Sequence, residues 1–124
     1  MKFKLALLAT LLLAVVGTVS AHHGSAAYDM DKNVTIKGTV TEFDFQNPHV
    51  LIYMDVKDDS GKVTNWAGEL TSPNRLTRLG WTKSTLKPGD PITMTGSPSK
   101  SGAPRMWANK VENSSGVLKV GGVD

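Results

Sequence analysis

Val34-Thr35-Ile36-Lys37-Gly38-Thr39-Val40-Thr41-Glu42-Phe43-Asp44-Phe45 decides the fold. The first seven residues alternate cleanly, with Val34, Ile36 and Val40 on one face of a strand. Near Thr41-Glu42 the phase flips, and Phe43 and Phe45 become the apolar pair. A phase flip inside one long strand implies a bulge or sharp bend, and Gly38 eases the curvature. Long first strands that bend in this way belong to small barrels that must turn corners.

Outward from that stretch the β signals continue. Gln46-Asn47-Pro48 is a turn. His49 to Lys57 is a second strand, with Val50, Ile52, Met54 and Val56 inward and His49, Leu51, Tyr53, Asp55 and Lys57 on the other face. Asp58-Asp59-Ser60-Gly61 is a hairpin turn with Gly61 suited to positive φ. Val63 to Leu70 is a third strand, Trp66 and Leu70 facing one way, Asn65 and Glu69 the other. Ser72 caps a short helix, Pro73 fits its first position, Leu76 and Leu79 share a face, and Gly80 ends it. Lys87-Pro88-Gly89-Asp90 turns into a fourth strand, Pro91 to Gly96. Ser97 to Pro104 is a polar loop, Arg105 to Glu112 a fifth strand, and Val117 to Val120 a short sixth. Three strands, a helix, then two strands is the order of a mainly β, five-stranded OB-fold-like barrel. The helix counts against an open β-sandwich.

The 124 residues suit one domain. Met1-Lys2-Phe3-Lys4 is a positive head, Leu5 to Val16 is almost wholly apolar, and Val19-Ser20-Ala21 has the small residues a signal peptidase reads. Residues 1–21 are therefore expected to be a secretory signal peptide, cleaved after Ala21, and the mature chain to be periplasmic or secreted. The apolar run is short for a membrane span. Cleavage removes Lys2 and Lys4 from the 14 Lys+Arg, leaving 12 against 11 Asp+Glu, or +1. So near-neutral a chain lacks the basic stripe expected of nucleic-acid binding. The absence of cysteine rules out a disulfide framework and thiol chemistry. Residues 22–33 read as a polar lead without a clear period.

The mature chain resembles the secreted bacterial family called domain of unknown function 6152. The resemblance rests on Ala21-His22-His23, Asn47-Pro48-His49-Val50, Trp66 with Glu69-Leu70, and Ser72-Pro73-Asn74 with Leu76, Arg78 and Gly80-Trp81. It continues through Leu86-Lys87-Pro88-Gly89-Asp90 and Gly102-Ala103-Pro104. It implies a small periplasmic or secreted β protein and supplies no activity. Gly24 departs from the pattern, in which Ser usually follows the histidine pair directly.

The three histidines, His22, His23 and His49, are the candidate metal ligands. With cleavage after Ala21, His22 offers an α-amine and an imidazole nitrogen that chelate one metal together. A further imidazole, from His49 or His23, completes a nitrogen-only, T-shaped histidine brace that favours Cu(II). Amine and imidazole both give up their protons near neutral pH. Twelve residues separate His22 from Val34, so an extended lead could span well over ~30 Å and fold back to His49. Cleavage one residue earlier would make His23 third, in a square-planar Cu(II) or Ni(II) site of amine, two amides and imidazole that leaves out His49. The bland reading is a polar, cleavable junction and a histidine that merely hydrogen-bonds at a strand end.

Glu69, Tyr53, Asn47 and Trp66 are candidates for a supporting shell or a binding face. For Glu69 the commoner role is a solvated charge or a partner of Arg75 or Arg78. Trp66, Trp81 and Trp107 could stack a sugar or base, but in so small a domain they are more often core. Met30, Met54, Met94 and Met106 could hold Cu(I) only if clustered; core packing is the better reading. No catalytic triad, phosphate loop or carboxylate pair is present. Three functions follow: non-catalytic copper buffering, delivery or sensing; a module holding a peptide, glycan or protein around Leu51, Tyr53 and Glu69; or an oxidative copper enzyme with an open coordination position.

Overall fold

The computed structural model describes residues 23–121. Among them are six strands and two short helices: α1 (His23–Ala26), β1 (Val34–Asp44), β2 (Leu51–Lys57), β3 (Val63–Glu69), α2 (Pro73–Arg78), β4 (Pro91–Pro98), β5 (Arg105–Asn113) and β6 (Gly116–Leu118). The strands form one sheet in the order β3-β2-β1-β4-β5-β6, and a further pairing of β3 with β5 closes the first five into a barrel. That closing pair is parallel, matching Ala67, Gly68 and Glu69 with Arg105, Met106 and Trp107. It is an OB-like barrel with α2 between its third and fourth strands, as the order of elements implies.

The first strand serves two neighbours, which is why it bends. Its N-terminal half pairs with β4 and its C-terminal half with β2, and the register slips between Val40 and Glu42, where the hydrophobic phase flips. At Gly38 the backbone of β1 lies close against β2: an added Cβ there would lie 2.0 Å from the Asp55 carbonyl oxygen. The glycine is thus needed for space rather than for an unusual φ.

The inward faces meet in one core. Val40, Ile52, Met54, Leu70, Leu76, Leu86, Met94, Met106 and Val111 are all at most 2% exposed, and each such side chain contributes about 1.5–3 kcal/mol relative to an exposed one. The buried methionines are core, as expected, while Met30 is exposed. Ser72 Oγ accepts from the Arg75 amide at 3.3 Å, Pro73 opens α2, and Gly80 follows its end with φ 98°. Leu76 enters the core, but Leu79 does not follow it and remains exposed. In the Asp58 turn, Gly61 takes φ 86° and Asp58 Oδ1 accepts from the Ser60 and Lys62 amides. The Ser60 hydroxyl, which donates to the same oxygen, and the Lys62 amide hold the Asp58 carboxyl below its usual range.

Strand ends differ from expectation: β4 runs on through Pro98 into the expected loop, and β6 is Gly116–Leu118. The lead segment, which has no clear period, is held to the barrel. After the single turn of α1, Tyr28 pairs with Ser99 in an antiparallel bridge. The Asp29 amide donates to the Pro98 carbonyl at 2.8 Å, and the Lys100 amide to that of Ala27 at 3.0 Å. Main-chain groups laid against the barrel need partners, and the end of β4 supplies them. The expected signal peptide and His22 lie outside the described residues, as does the side chain of His23. No helix among the described residues is long and apolar enough to cross a membrane.

Candidate functional site

The site grows from the last residue of β3. Register places Glu69 beside Leu51 of β2 on one flank and Trp107 of β5 on the other. The second strand starts at Leu51 rather than at His49 as expected; His49 lies just ahead of it, and because Val50 and Ile52 are both buried, His49 and Leu51 face the other way together. Its Nδ1 donates to Glu69 Oε1 at 2.7 Å. The second carboxylate oxygen, Oε2, accepts from the Tyr28 hydroxyl at 2.5 Å. One carboxylate thus joins three segments that lie 41 and 20 residues apart in the chain.

Trp107 closes the cluster from the side. The His49 ring stands edge-on to it, with centroids 5.5 Å apart and planes at 85°, and the Tyr28 ring leans on it at 6.2 Å and 59°. Tyr28 is only 3% exposed. Burial pushes its phenol up to about 12, the Glu69 carboxylate adds to the shift, and the Arg105 guanidinium partly opposes it. The phenol is therefore neutral throughout the physiological range and acts as a donor.

A carboxylate offers acceptors only, so the proton between His49 and Glu69 is assigned to Nδ1. A neutral imidazole then carries its lone pair on Nε2. The His49 side chain is 31% exposed and Glu69 14%, and among the described residues the polar contact of His49 is the one through Nδ1. The arrangement holds an imidazole in one tautomer and orientation with its outer nitrogen available, as carboxylate-backed metal histidines are held. Among the described residues no three His, Asp or Glu side chains gather to hold a metal on their own.

The structure corrects the sequence reading at Glu69. The expected solvated charge or arginine partner gives way to a carboxylate with both oxygens engaged, by His49 and Tyr28. Of the other candidates, Trp66 packs against the core, Tyr53 is half-buried further along β2, and Asn47 is exposed in the turn, where its bond to Pro48 is cis. The three tryptophans form no common platform: Trp81 is core at 2% exposure, whereas Trp107 lines the site. Tyr28 was missed, and its one visible signal was being the sole aromatic side chain of Phe, Tyr or Trp type between His22 and Glu42.

Comparison with known proteins gives a fold and a family. The N-terminal domain of PriB from Thermoanaerobacter tencongensis matches at 18% identity over 67% of this chain and 96% of that one, with a TM-score of 0.50. The mitochondrial single-stranded DNA-binding protein Rim1 from S. cerevisiae matches at 11% identity over 73% and 97%, TM-score 0.48. A ZRD-deleted mutant of TiaS in complex with agmatine matches at 20% identity over 76% of this chain, which spans only 24% of that one, TM-score 0.49. At these identities the likeness concerns fold alone. No curated protein matches the chain. The model of a family of unknown function, DUF6152, matches residues 9–107, which include His49, Glu69, Tyr28 and Trp107, and the chain belongs to that family.

Proposed function

We propose that the mature protein is a periplasmic or secreted, non-catalytic copper-binding domain. It holds one Cu(II) ion through the α-amine and imidazole of His22 and through Nε2 of His49, with His23 as the alternate or third imidazole. Its role is copper buffering, delivery or sensing. The observation that carries this reading is His49 itself, backed by Glu69 at 2.7 Å and open at its outer nitrogen.

The neighbourhood favours a nitrogen-only set. Both Glu69 oxygens are engaged, and the Tyr28 phenol stays protonated. Oxygen donors suited to Ca²⁺ or Mg²⁺ are thus withheld, while imidazole and amine suit Cu(II), which heads the divalent affinity order. The docked Tyr28 leaves a short stretch of chain ahead of it. From the His23 Cα to the Tyr28 Cα the chain runs through a helical turn and two further residues, at most about 12 Å.

The test is a native mass spectrum of protein secreted through its own signal, with and without one equivalent of Cu(II) and with glycine as competitor. The expected chain begins at His22 and retains one copper; His49→Ala loses it, while Ca²⁺ and Mg²⁺ give no adduct. A chain that begins elsewhere, or sheds the ion to glycine, overturns the reading.

A second reading has its own support. Leu51, Glu69 and Trp107 stand side by side across three strands, half-buried, with Tyr53 two residues along. That row would hold a peptide, glycan or protein partner, and Tyr53→Ala would abolish capture while leaving copper untouched. Nucleic acid is not the proposed partner: the mature charge is near neutral, and Asp55 and Asn65 hydrogen-bond each other on the outer face of β2 and β3.

A further inference from the structure

We infer that Tyr28 is a positioning residue: it docks the N-terminal segment onto the barrel through Glu69, the carboxylate that also orients His49, and thereby couples docking of that segment to occupancy of the site. The inference deepens the copper reading and rests on it for the coupling, but not for the docking.

The geometry is specific. Beside the site the segment is held by the short Tyr28–Ser99 bridge, whose two main-chain hydrogen bonds join Asp29 to Pro98 and Lys100 to Ala27, and by the Tyr28 side chain. Lys32 and Asp29 pair within the segment and add nothing across to the barrel. The Tyr28 ring is buried against Trp107, and its hydroxyl ends on Glu69 Oε2. The other oxygen of that carboxylate faces His49 Nδ1. Glu69 therefore cannot turn to suit one partner without moving away from the other. A metal on His49 Nε2 draws charge from the imidazole and strengthens the Nδ1–H bond to Glu69, which fixes the carboxylate where Tyr28 needs it. Conversely, docking at Tyr28 tethers the residues that precede it in the chain beside the site and so raises the effective concentration of their donors there. Linkage requires the effect to be mutual: what docking does for copper affinity, copper does for docking.

Two amides read docking directly, those of Asp29 and Lys100. The experiment is hydrogen–deuterium exchange on the mature protein with its native N-terminus, wild type and Tyr28→Phe, without metal and with one equivalent of Cu(II). It is paired with a competition titration and the Cu(II) electron paramagnetic resonance spectrum. In metal-free protein, Tyr28→Phe keeps the buried ring and loses the bond to a carboxylate, so both amides should exchange about tenfold faster, while the β1–β2 amides are unchanged. Copper should slow both amides in the wild type and slow them less in the variant. Copper affinity of the variant should fall, at most by about the same tenfold, because only the docked fraction binds well. Its nitrogen hyperfine pattern should persist, because no ligand has been removed. Glu69→Gln should loosen the same amides and weaken copper as well.

Unchanged amide exchange in metal-free Tyr28→Phe overturns the anchoring role. Faster exchange with unaltered copper affinity overturns the coupling. Faster exchange in a protein whose wild type holds no copper overturns the copper reading and the coupling with it, and supports the anchor, which is read without metal.

Discussion

Two tryptophan corners of this barrel are built in opposite ways. At Trp81 the indole is 2% exposed, its Nε1 donates to the Lys119 carbonyl at 2.7 Å, and Phe43 packs on it at 6.0 Å with Phe45 behind. The single polar atom is satisfied and everything else is apolar. At Trp107 the indole is half-buried, and its ring neighbours are His49 and Tyr28, both tied to Glu69. A buried indole with its N–H paired stabilises the fold. A half-buried indole beside polar groups instead holds those groups in place and leaves one histidine nitrogen open. The same residue type thus serves stability in one corner and a site in the other, and its neighbours decide which.

The contrast can be broken most severely at Trp81. Trp81→Ala should cost about 3–5 kcal/mol, measured by urea unfolding, with copper retention unaltered in whatever fraction stays folded. Loss of copper from the folded fraction would mean that the two corners are not independent.

Tyr28→Phe comes next. It removes a bond to a charged group and should cost about 1.5 kcal/mol at neutral pH, in line with the tenfold faster exchange. The pH dependence sharpens the point. The folded protein holds the Tyr28 proton more tightly than the unfolded chain, so this contribution is fully present below about pH 10 and is lost as pH rises from 10 towards 12. The wild type should therefore lose stability faster than the variant across that window, and the gap between them should narrow. Parallel curves would show that the phenol is neither buried nor held by Glu69 in solution.

The smallest effect belongs to neither corner. Asn65 donates to Asp55 and Thr41 on the exposed outer face. Asn65→Ala should change stability by no more than about 0.5 kcal/mol and should leave copper and exchange at Asp29 and Lys100 unchanged, which makes it the baseline for both corners.

Much of the barrel was legible before any coordinate. The bulge near Thr41 announced itself as a flip in alternation, the turn at Gly61 by its dipeptide chemistry, and α2 by Ser72, Pro73 and Gly80. The site was legible only in part. His49 and Glu69 stood on the outward faces of neighbouring strands, but pattern alone favoured treating Glu69 as a solvated charge. The lead segment showed no period, because beyond the single turn of α1 it is held by a bridge of two hydrogen bonds to the end of β4 and by the Tyr28 side chain rather than by a periodic element of its own.

The division has a physical cause. Strand phase, bulge, caps and turns depend on residues within a few positions of one another, so the amino-acid sequence by itself determined them, and with them the order of elements that makes an OB-like barrel. Which side chains share a corner depends on the parallel pairing of β3 with β5 and on the register across it. That register sets Glu69 beside Trp107 and leaves its two oxygens to His49 and Tyr28, and only the closed tertiary structure decided it, because no local pattern records what a strand will meet when the barrel shuts.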